Sequence, residues 1–232
     1  MIRAIGLVAA LLAGAAQAEI ASATYQYPTS AYGHNVVPGG EYARLQFELR
    51  DGTTLATDAV DGVYEDTAPR LIDLDGDGSP EVLTVFSYFD AGAAIRVWDE
   101  LKGGGTIELF AEGTPIGQRF RWLAIIGAAD LDSDGIVEIA YVDRPHLAKT
   151  IRVVRVDGDG LELVASFAGV TNHRIGEPDI AGGIRDCGQG PEMIVASANW
   201  SELLAVTFDG DFSTLVIGTD TSRAAFADAM AC

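Results

Sequence analysis

Two stretches place carboxylates where a hard cation would bind them. In LIDLDGDGSPEVLTVF (71–86), Asp73, Asp75, Asp77 and Glu81 stand at relative positions 1, 3, 5 and 9, with Gly78 at position 6. GAADLDSDGIVEIAYV (127–142) repeats the pattern with Asp130, Asp132, Asp134, Gly135 and Glu138. Alternate side chains of such a loop converge, and the glycine lets the backbone turn sharply around an ion. Four crowded carboxylates repel one another unless a cation sits among them. Ca2+, with oxygen ligands at roughly 2.3–2.6 Å, is the natural partner. Two Ca2+ sites are therefore expected, with the ion acting structurally.

The three histidines lie in polar, turn-like contexts: His34 in AYGHNVV, His146 in DRPHLAKT and His173 in TNHRIGEPD. If loops from different units meet at one mouth, these rings converge with Arg144, Lys149, Arg174 and Glu177. Such a pocket would bind an anion or hold a second metal. No pair has His-x-x-x-His spacing, and the plainer alternative is that each ring hydrogen-bonds a loop backbone. Nucleophilic catalysis finds no Gly-x-Ser-x-Gly elbow. Gly103-Gly104-Gly105 reads as a hairpin turn, because no Lys-Ser/Thr and no helix follow it. Asp157-Gly158-Asp159-Gly160 lacks a third acid and a downstream glutamate, so it too reads as a turn. Trp98, Trp122 and Trp200 fall in or beside apolar strands, where packing is the default and glycan stacking would need an exposed ring.

The elements that must carry these residues repeat. AIRVWDELKGGGTIELFAEG (94–113) aligns with TIRVVRVDGDGLELVASFAG (150–169), and LLAVTFDGDFSTLVIG (203–218) and ARLQFELRDGTTLATDAV (43–60) share the pattern. Each is a pair of β-type runs around a Gly or Asp-Gly turn, the usual hairpin signal. A period near 55 residues with about four strands per unit suits propeller blades rather than helical solenoids. The expected fold is all-β: a small β-propeller of about four repeats, with four-stranded blades. A sandwich or open array of hairpins is the alternative. In the third loop of this kind, setting Glu192 against Glu81 puts Ile184 at the first aspartate, Asp186 at the second and Gly188 at the third. Arg185 between them would supply a fixed positive charge, and this loop is expected to be metal-free. The first unit has no acidic loop; Tyr32-Gly33-His34-Asn35 stands in its place.

Residues 1–18 read as an export signal, with Arg3, an apolar run from Ala4 to Ala16 and Ala16-Gln17-Ala18 as a cleavage site. Residues 19–232 then form one domain, periplasmic or secreted, with no membrane span. They carry 34 acidic and 14 basic side chains, a net charge of −20. Such a surface repels nucleic acid. In an oxidising compartment Cys187 and Cys232 are expected to pair as a disulfide, the alternative being two free thiols.

Asp-x-Asp-x-Asp-Gly-x-x-Glu followed directly by Glu81-Val82-Leu83 or Glu138-Ile139-Ala140 resembles the FG-GAP and VCBS-type repeats of integrin-α-like β-propellers. The resemblance implies calcium held by side chains at positions 1, 3, 5 and 9 and by the position-7 carbonyls, here Ser79 and Ile136. EF-hand and dockerin-like loops need an acid at position 12 and a helix, but Thr84 and Tyr141 stand there with β-rich sequence following. The chain has room for about four repeats where the family often has seven, and the Phe-Gly…Gly-Ala-Pro signature is not visible. The resulting expectation is an exported, calcium-binding, non-enzymatic module for a protein or glycan partner. A small propeller hydrolase or lyase using His34, His146, His173 and Arg174 is the alternative, and one arc of a multi-chain propeller is a third possibility.

Overall fold

The structure, a computed structural model, describes residues 19–101 and 105–232. The expected export signal and most of the Gly103-Gly104-Gly105 turn lie outside the described residues. Within them the chain forms seventeen strands and one short helix. No helix among the described residues is long and apolar enough to cross a membrane.

The first unit comprises β1 (Ile20–Pro28), β2 (Glu41–Leu49) and β3 (Thr54–Asp58), with β4 (Gly62–Glu65) bridging it to the next. The second comprises β5 (Arg70–Ile72), β6 (Glu81–Tyr88), β7 (Gly92–Glu100) and β8 (Ile107–Glu112). The third comprises β9 (Leu123–Ala129), β10 (Glu138–Asp143), β11 (Thr150–Asp157) and β12 (Gly160–Ala168). The fourth comprises β13 (Val170–Thr171), β14 (Gly183–Asp186), β15 (Pro191–Ser197), β16 (Leu203–Phe208) and β17 (Phe212–Gly218). Helix α1 (Arg223–Met230) follows, with Ser222 Oγ accepting the Ala225 N–H at its start. Pairing within units is antiparallel throughout, as consecutive hairpins dictate.

Side-chain alternation explains how the units stack. In β6 every residue from Glu81 to Ser87 is buried, because its two faces serve two neighbours. Val82 and Phe86 pack with Leu45, Phe47 and Leu49 of the first unit. Leu83 and Val85 pack with Leu123, Ile125 and Ile139 of the third. Strand β10 does the same, Ile139 facing the second unit while Ala140 and Val142 meet Met193 and Val195 of the fourth. The architecture is all-β and propeller-like: β1 to β12 form one curled sheet that runs through the first three units, and β13 to β17 form a second.

The two ends of the stack differ from the middle. The outward residues of β2 include Arg44, Gln46 and Glu48, and Arg44 Nε donates to Asp58 at 2.6 Å. At the other end Ile194, Ala196, Leu203 and Ala205 pack against Phe226 of α1. A closed ring would set the first unit against that face; the helix covers it instead. The same helix covers the face on which a further unit from another chain would stack. The expected Cys187–Cys232 disulfide is formed, 45 residues apart, and ties the residue after β14 to the segment beyond α1.

Candidate functional site

One strand of each unit, β2, β6, β10 or β15, carries a glutamate at or beside its start: Glu41, Glu81, Glu138 and Glu192. The first three are almost fully buried and reach back into the preceding loop. Glu81 Oε2 accepts the Leu74 N–H at 2.6 Å, and Glu138 Oε2 accepts the Leu131 N–H at 2.8 Å. The two acidic loops then close in the same way. Asp73 accepts N–H groups from Gly76 and Gly78, and Asp130 from Asp134 and Gly135. Gly78 and Gly135 both have positive φ, +88° and +91°, a conformation that disfavours any side chain. Asp77 and Asp134 accept the N–H groups of Ser79 and Ile136, the position-7 residues.

Asp73, Asp75 and Glu81 bring one oxygen each to within 4.8 Å of one another, and Asp130, Asp132 and Glu138 do likewise. The two clusters nevertheless differ in charge. Continuing the antiparallel register by one step sets Asp99 opposite Glu81 and Arg155 opposite Glu138. Asp99 and Asp77 line one small crevice beside the first loop. Burial, helped by Asp99 and Asp75, pushes Glu81 up to about 7. Asp73, Asp75 and Glu81 therefore make an all-oxygen donor set, which fits Ca2+. In the second loop the Arg155 guanidinium lies 3.0 Å from Asp132 Oδ2 and 2.9 Å from Asp134 Oδ2, and in contact with Glu138 Oε1. That cluster already contains a cation, which a metal ion would have to displace.

The third acidic position corrects the sequence alignment. β5 pairs Ile72 with Glu81, β9 pairs Ala129 with Glu138, and β14 pairs Arg185 with Glu192. Asp186 thus matches the first aspartates, Asp73 and Asp130, and not the second position. It accepts N–H groups from Gly188 and Gly190. The loop is two residues shorter, which matching on Gly-Pro-Glu could not reveal. Arg185 donates to Glu192 at 2.8 Å and also to the Ala229 carbonyl of α1.

In the first unit the same kind of glutamate shapes a different loop. Glu41 accepts the N–H groups of Gly33, His34 and Asn35 at 2.9, 2.7 and 3.1 Å. This presents His34 to a pocket of about 320 Å3 between loops of the first, third and fourth units. Its walls are His34, Val36, Phe120, Arg121, Trp122, Arg144, Pro145, His146, Leu147 and Ile175. The Gly176 N–H donates to the Val36 carbonyl, joining the loops on opposite sides.

Hydrogen bonds behind the walls fix both pocket imidazoles. Fully buried Glu65 lies 2.8 Å from His34 Nδ1 and accepts from Ser87 Oγ at 2.6 Å, while its carbonyl accepts from Trp122 Nε1 at 2.7 Å. His173 Nε2 lies 3.0 Å from the Glu177 carbonyl, which can only accept, so Nε2 carries the proton in the neutral ring. His173 Nδ1 is then the acceptor for His146 Nε2 at 3.0 Å. That leaves His34 Nε2 and His146 Nδ1 for a ligand. Trp122 lies against both inner rings, parallel to His146 and edge-on to His173.

The candidate pocket residues thus separate. His34 and His146 line the cavity, and His173 is fully buried behind His146. Arg174 does not line it: its guanidinium lies 3.7 Å from the Trp200 ring centre and 3.4 Å from Glu177. Trp98 and Trp122 are buried and Trp200 is half-buried beneath Arg174. Sequence reasoning missed Glu65, Phe120 and Arg121, which lie in unremarkable strand and turn sequence. It also missed Asp99 and Arg155, although the aligned hairpins place them at the same position.

Burial, with His173 next, lowers His146 to about 4 from an ordinary 6.5, and burial lowers His173 as well. The unfolded chain binds these protons near pH 6.5, whereas folded His146 does so only near 4. Their contribution to stability is therefore complete above that range and lost as pH falls through it. The buried carboxylates Glu65, Glu81 and Glu138 and the half-buried Asp99 shift upward and act in the opposite sense. His146→Gln isolates the imidazole. Urea unfolding at about pH 7 and about pH 4.5 should show a smaller acid-side loss in the variant, by about 1–2 kcal/mol after solvent screening. Equal losses in both proteins would contradict the assignment.

Residues 73–141, from the first aspartate of the first loop to just beyond the second, match the model of the FG-GAP-like repeat. No curated protein matches the chain.

Proposed function

We propose that this chain, an FG-GAP-type repeat protein, is an exported, non-enzymatic binding module whose propeller-like scaffold is stabilised by calcium. The observation that carries the calcium reading is the convergence of Asp73, Asp75 and Glu81 within 4.8 Å, with Asp99 set opposite Glu81. Calcium acts on the scaffold there, fixing the turn that leads into the doubly buried strand β6. The second loop binds more weakly, because its ion competes with Arg155. The partner is a protein or a glycan, met at the loop mouth around His34 and His146. The units act as four blades, terminated by α1 and not closed by a partner chain.

Chelation tests this. EDTA should lower the melting temperature and saturating Ca2+ restore it, while Asp75→Asn should be indifferent to both. At about 100 times Kd one site contributes about 2.7 kcal/mol. A melting curve that ignores EDTA and Ca2+ in the wild-type protein removes the metal from the proposal.

A hydrolase or lyase is the second reading, favoured by the Glu65–His34 pair, since a carboxylate on Nδ1 is how a general-base imidazole is oriented. Such a base would act on water or on a substrate proton, so turnover of a pocket ligand is the result that would favour this reading over binding.

A further inference from the structure

The mouth pocket stands out electrostatically from the rest of the molecule. The sequence holds 34 acidic residues against 15 basic ones, yet no acidic side chain lines this cavity. Ten of the thirteen described arginines and lysines lie within ion-pair distance of a carboxylate. The other three are Arg119, Arg121 and Lys149. Arg121 lines the pocket and donates to the Phe120 carbonyl. Arg119 lies over the Phe120 ring at 4.4 Å and donates to the Tyr32 carbonyl. Lys149 donates to the Ala198 carbonyl and acts electrostatically on His146. Every described basic side chain without an acidic partner thus gathers around one cavity, in a chain with more than two acids for each base.

The shape of the pocket is maintained at a cost to the backbone. Asn35, Phe120, Arg144 and Lys149 all adopt positive φ, between +45° and +57°, in or beside the cavity wall. Such conformations persist where surrounding structure enforces them, and they gather at ligand sites. Here the enforcing contacts are visible: the Phe120 N–H donates to buried Tyr32 Oη at 2.6 Å, and Glu41 holds the 33–35 loop. The remaining wall is apolar, from Val36, Phe120, Pro145, Leu147 and Ile175, the last 71% exposed at the rim.

We propose that this pocket binds an apolar group bearing a carboxylate, with Arg121 meeting the anion and the walls of Phe120, Leu147 and Ile175 enclosing the apolar body. The inference rests on the chain being a binding module and names what its mouth recognises. A cavity of this size suits a single aromatic or branched side-chain-sized group. A neutral sugar ring would leave the apolar wall unused and the unpaired cations unanswered. Two sources present the favoured chemistry: a free organic acid, or a partner protein's chain end with an apolar last residue.

The test uses the full chain with calcium present and compares two matched pairs of probes, followed by calorimetry. The first is 3-phenylpropanoate against 3-phenylpropanamide, and the second is acetyl-Gly-Gly-Phe as free acid against its C-terminal amide. In at least one pair the acid should bind about tenfold more tightly than the amide. Preference confined to the first pair assigns the free acid, and preference confined to the peptides assigns the chain end. Arg121→Ala should remove most of that preference. Ile175→Asp changes an exposed rim residue and leaves the core intact, so it should weaken the acid about tenfold more than the amide. Equal binding of acid and amide, no binding of either acid, or a preference untouched in both variants overturns the proposal. Recovery of the probes by chromatography tests the underlying reading separately, since turnover would end the non-enzymatic role without altering the affinity ratio.

Discussion

Exchanging the charges of Asp99 and Arg155 will move the proposed calcium dependence of the fold from the first acidic loop to the second. The two positions are equivalent in the register, each opposite the glutamate that closes its loop. In Asp99→Arg a guanidinium lies beside Glu81 and Asp75, as Arg155 lies beside Glu138 and Asp132. That guanidinium competes with an ion held by Asp75 and Glu81, and the proposed rise in melting temperature with Ca2+ should vanish. Arg155→Asp leaves the second loop with no internal cation. That variant should be less stable than wild type in EDTA and recover in Ca2+, while the wild-type second loop adds little. For a chain of this size a site worth about 2.7 kcal/mol corresponds to about 5–10 °C. Melting curves of the wild type, both single variants and the swap, each in EDTA and in Ca2+, decide the matter. Two equal wild-type sites by calorimetry, or an Asp99→Arg protein that still responds fully to calcium, would refute it.

Opening the Cys187–Cys232 bridge will release α1 from the last sheet. The bridge closes a segment of 45 residues, for which the chain-entropy model gives about 4 kcal/mol. Its loss should lower the melting temperature by about 8–16 °C. The effect has a location as well as a size. The helix is also held by Arg185 donating to the Ala229 carbonyl and by Arg223 donating to the Asp179 carbonyl, both near the fourth unit's edge. Beneath it lie Ile194, Ala196, Leu203 and Ala205, which become exposed when Phe226 leaves. Hydrogen exchange in Cys187→Ala/Cys232→Ala should therefore accelerate first in residues 223–230, with strands β6 and β10 still protected. Uniform acceleration throughout the chain, or none, would show that the bridge does not act through this cap.

Much of this was legible in the residues, and for identifiable reasons. The hairpins announced themselves through β-type runs around Asp-Gly and Gly turns, and the acidic loops through spacing that is local in sequence. What escaped was non-local. That α1 covers the fourth unit depends on a face of β15 and β16 whose composition matches the inter-unit faces of β6 and β10. Nothing in the alternation distinguishes a face meant for a sheet from one meant for a helix. The third loop defeated alignment because two residues are missing between Asp186 and Glu192, a deletion visible only once β14 is paired with β15. The pocket was half readable. Its histidines stood out by type, but Arg121 and Phe120 matter through what surrounds them. Glu65, the buried group that orients His34, gives no sign in sequence that it will be buried. Arg155 could have been found: the alignment of 94–113 with 150–169 sets it against Asp99, and a charge reversal beside a metal-type loop has a direct physical meaning.

The finishing of the two outer faces also determines how this protein can vary in length. A ring admits a new blade only by opening every interface slightly, because the angle between neighbours must be shared out again. Here the interior units meet their neighbours through paired apolar faces, while a polar sheet and a bridged helix occupy the ends. A duplicated copy of the second or third unit would therefore leave both outer faces as they are, but it would part the loops of the first and fourth units that Gly176 and Val36 join. The stack tolerates growth from its middle; the mouth pocket does not.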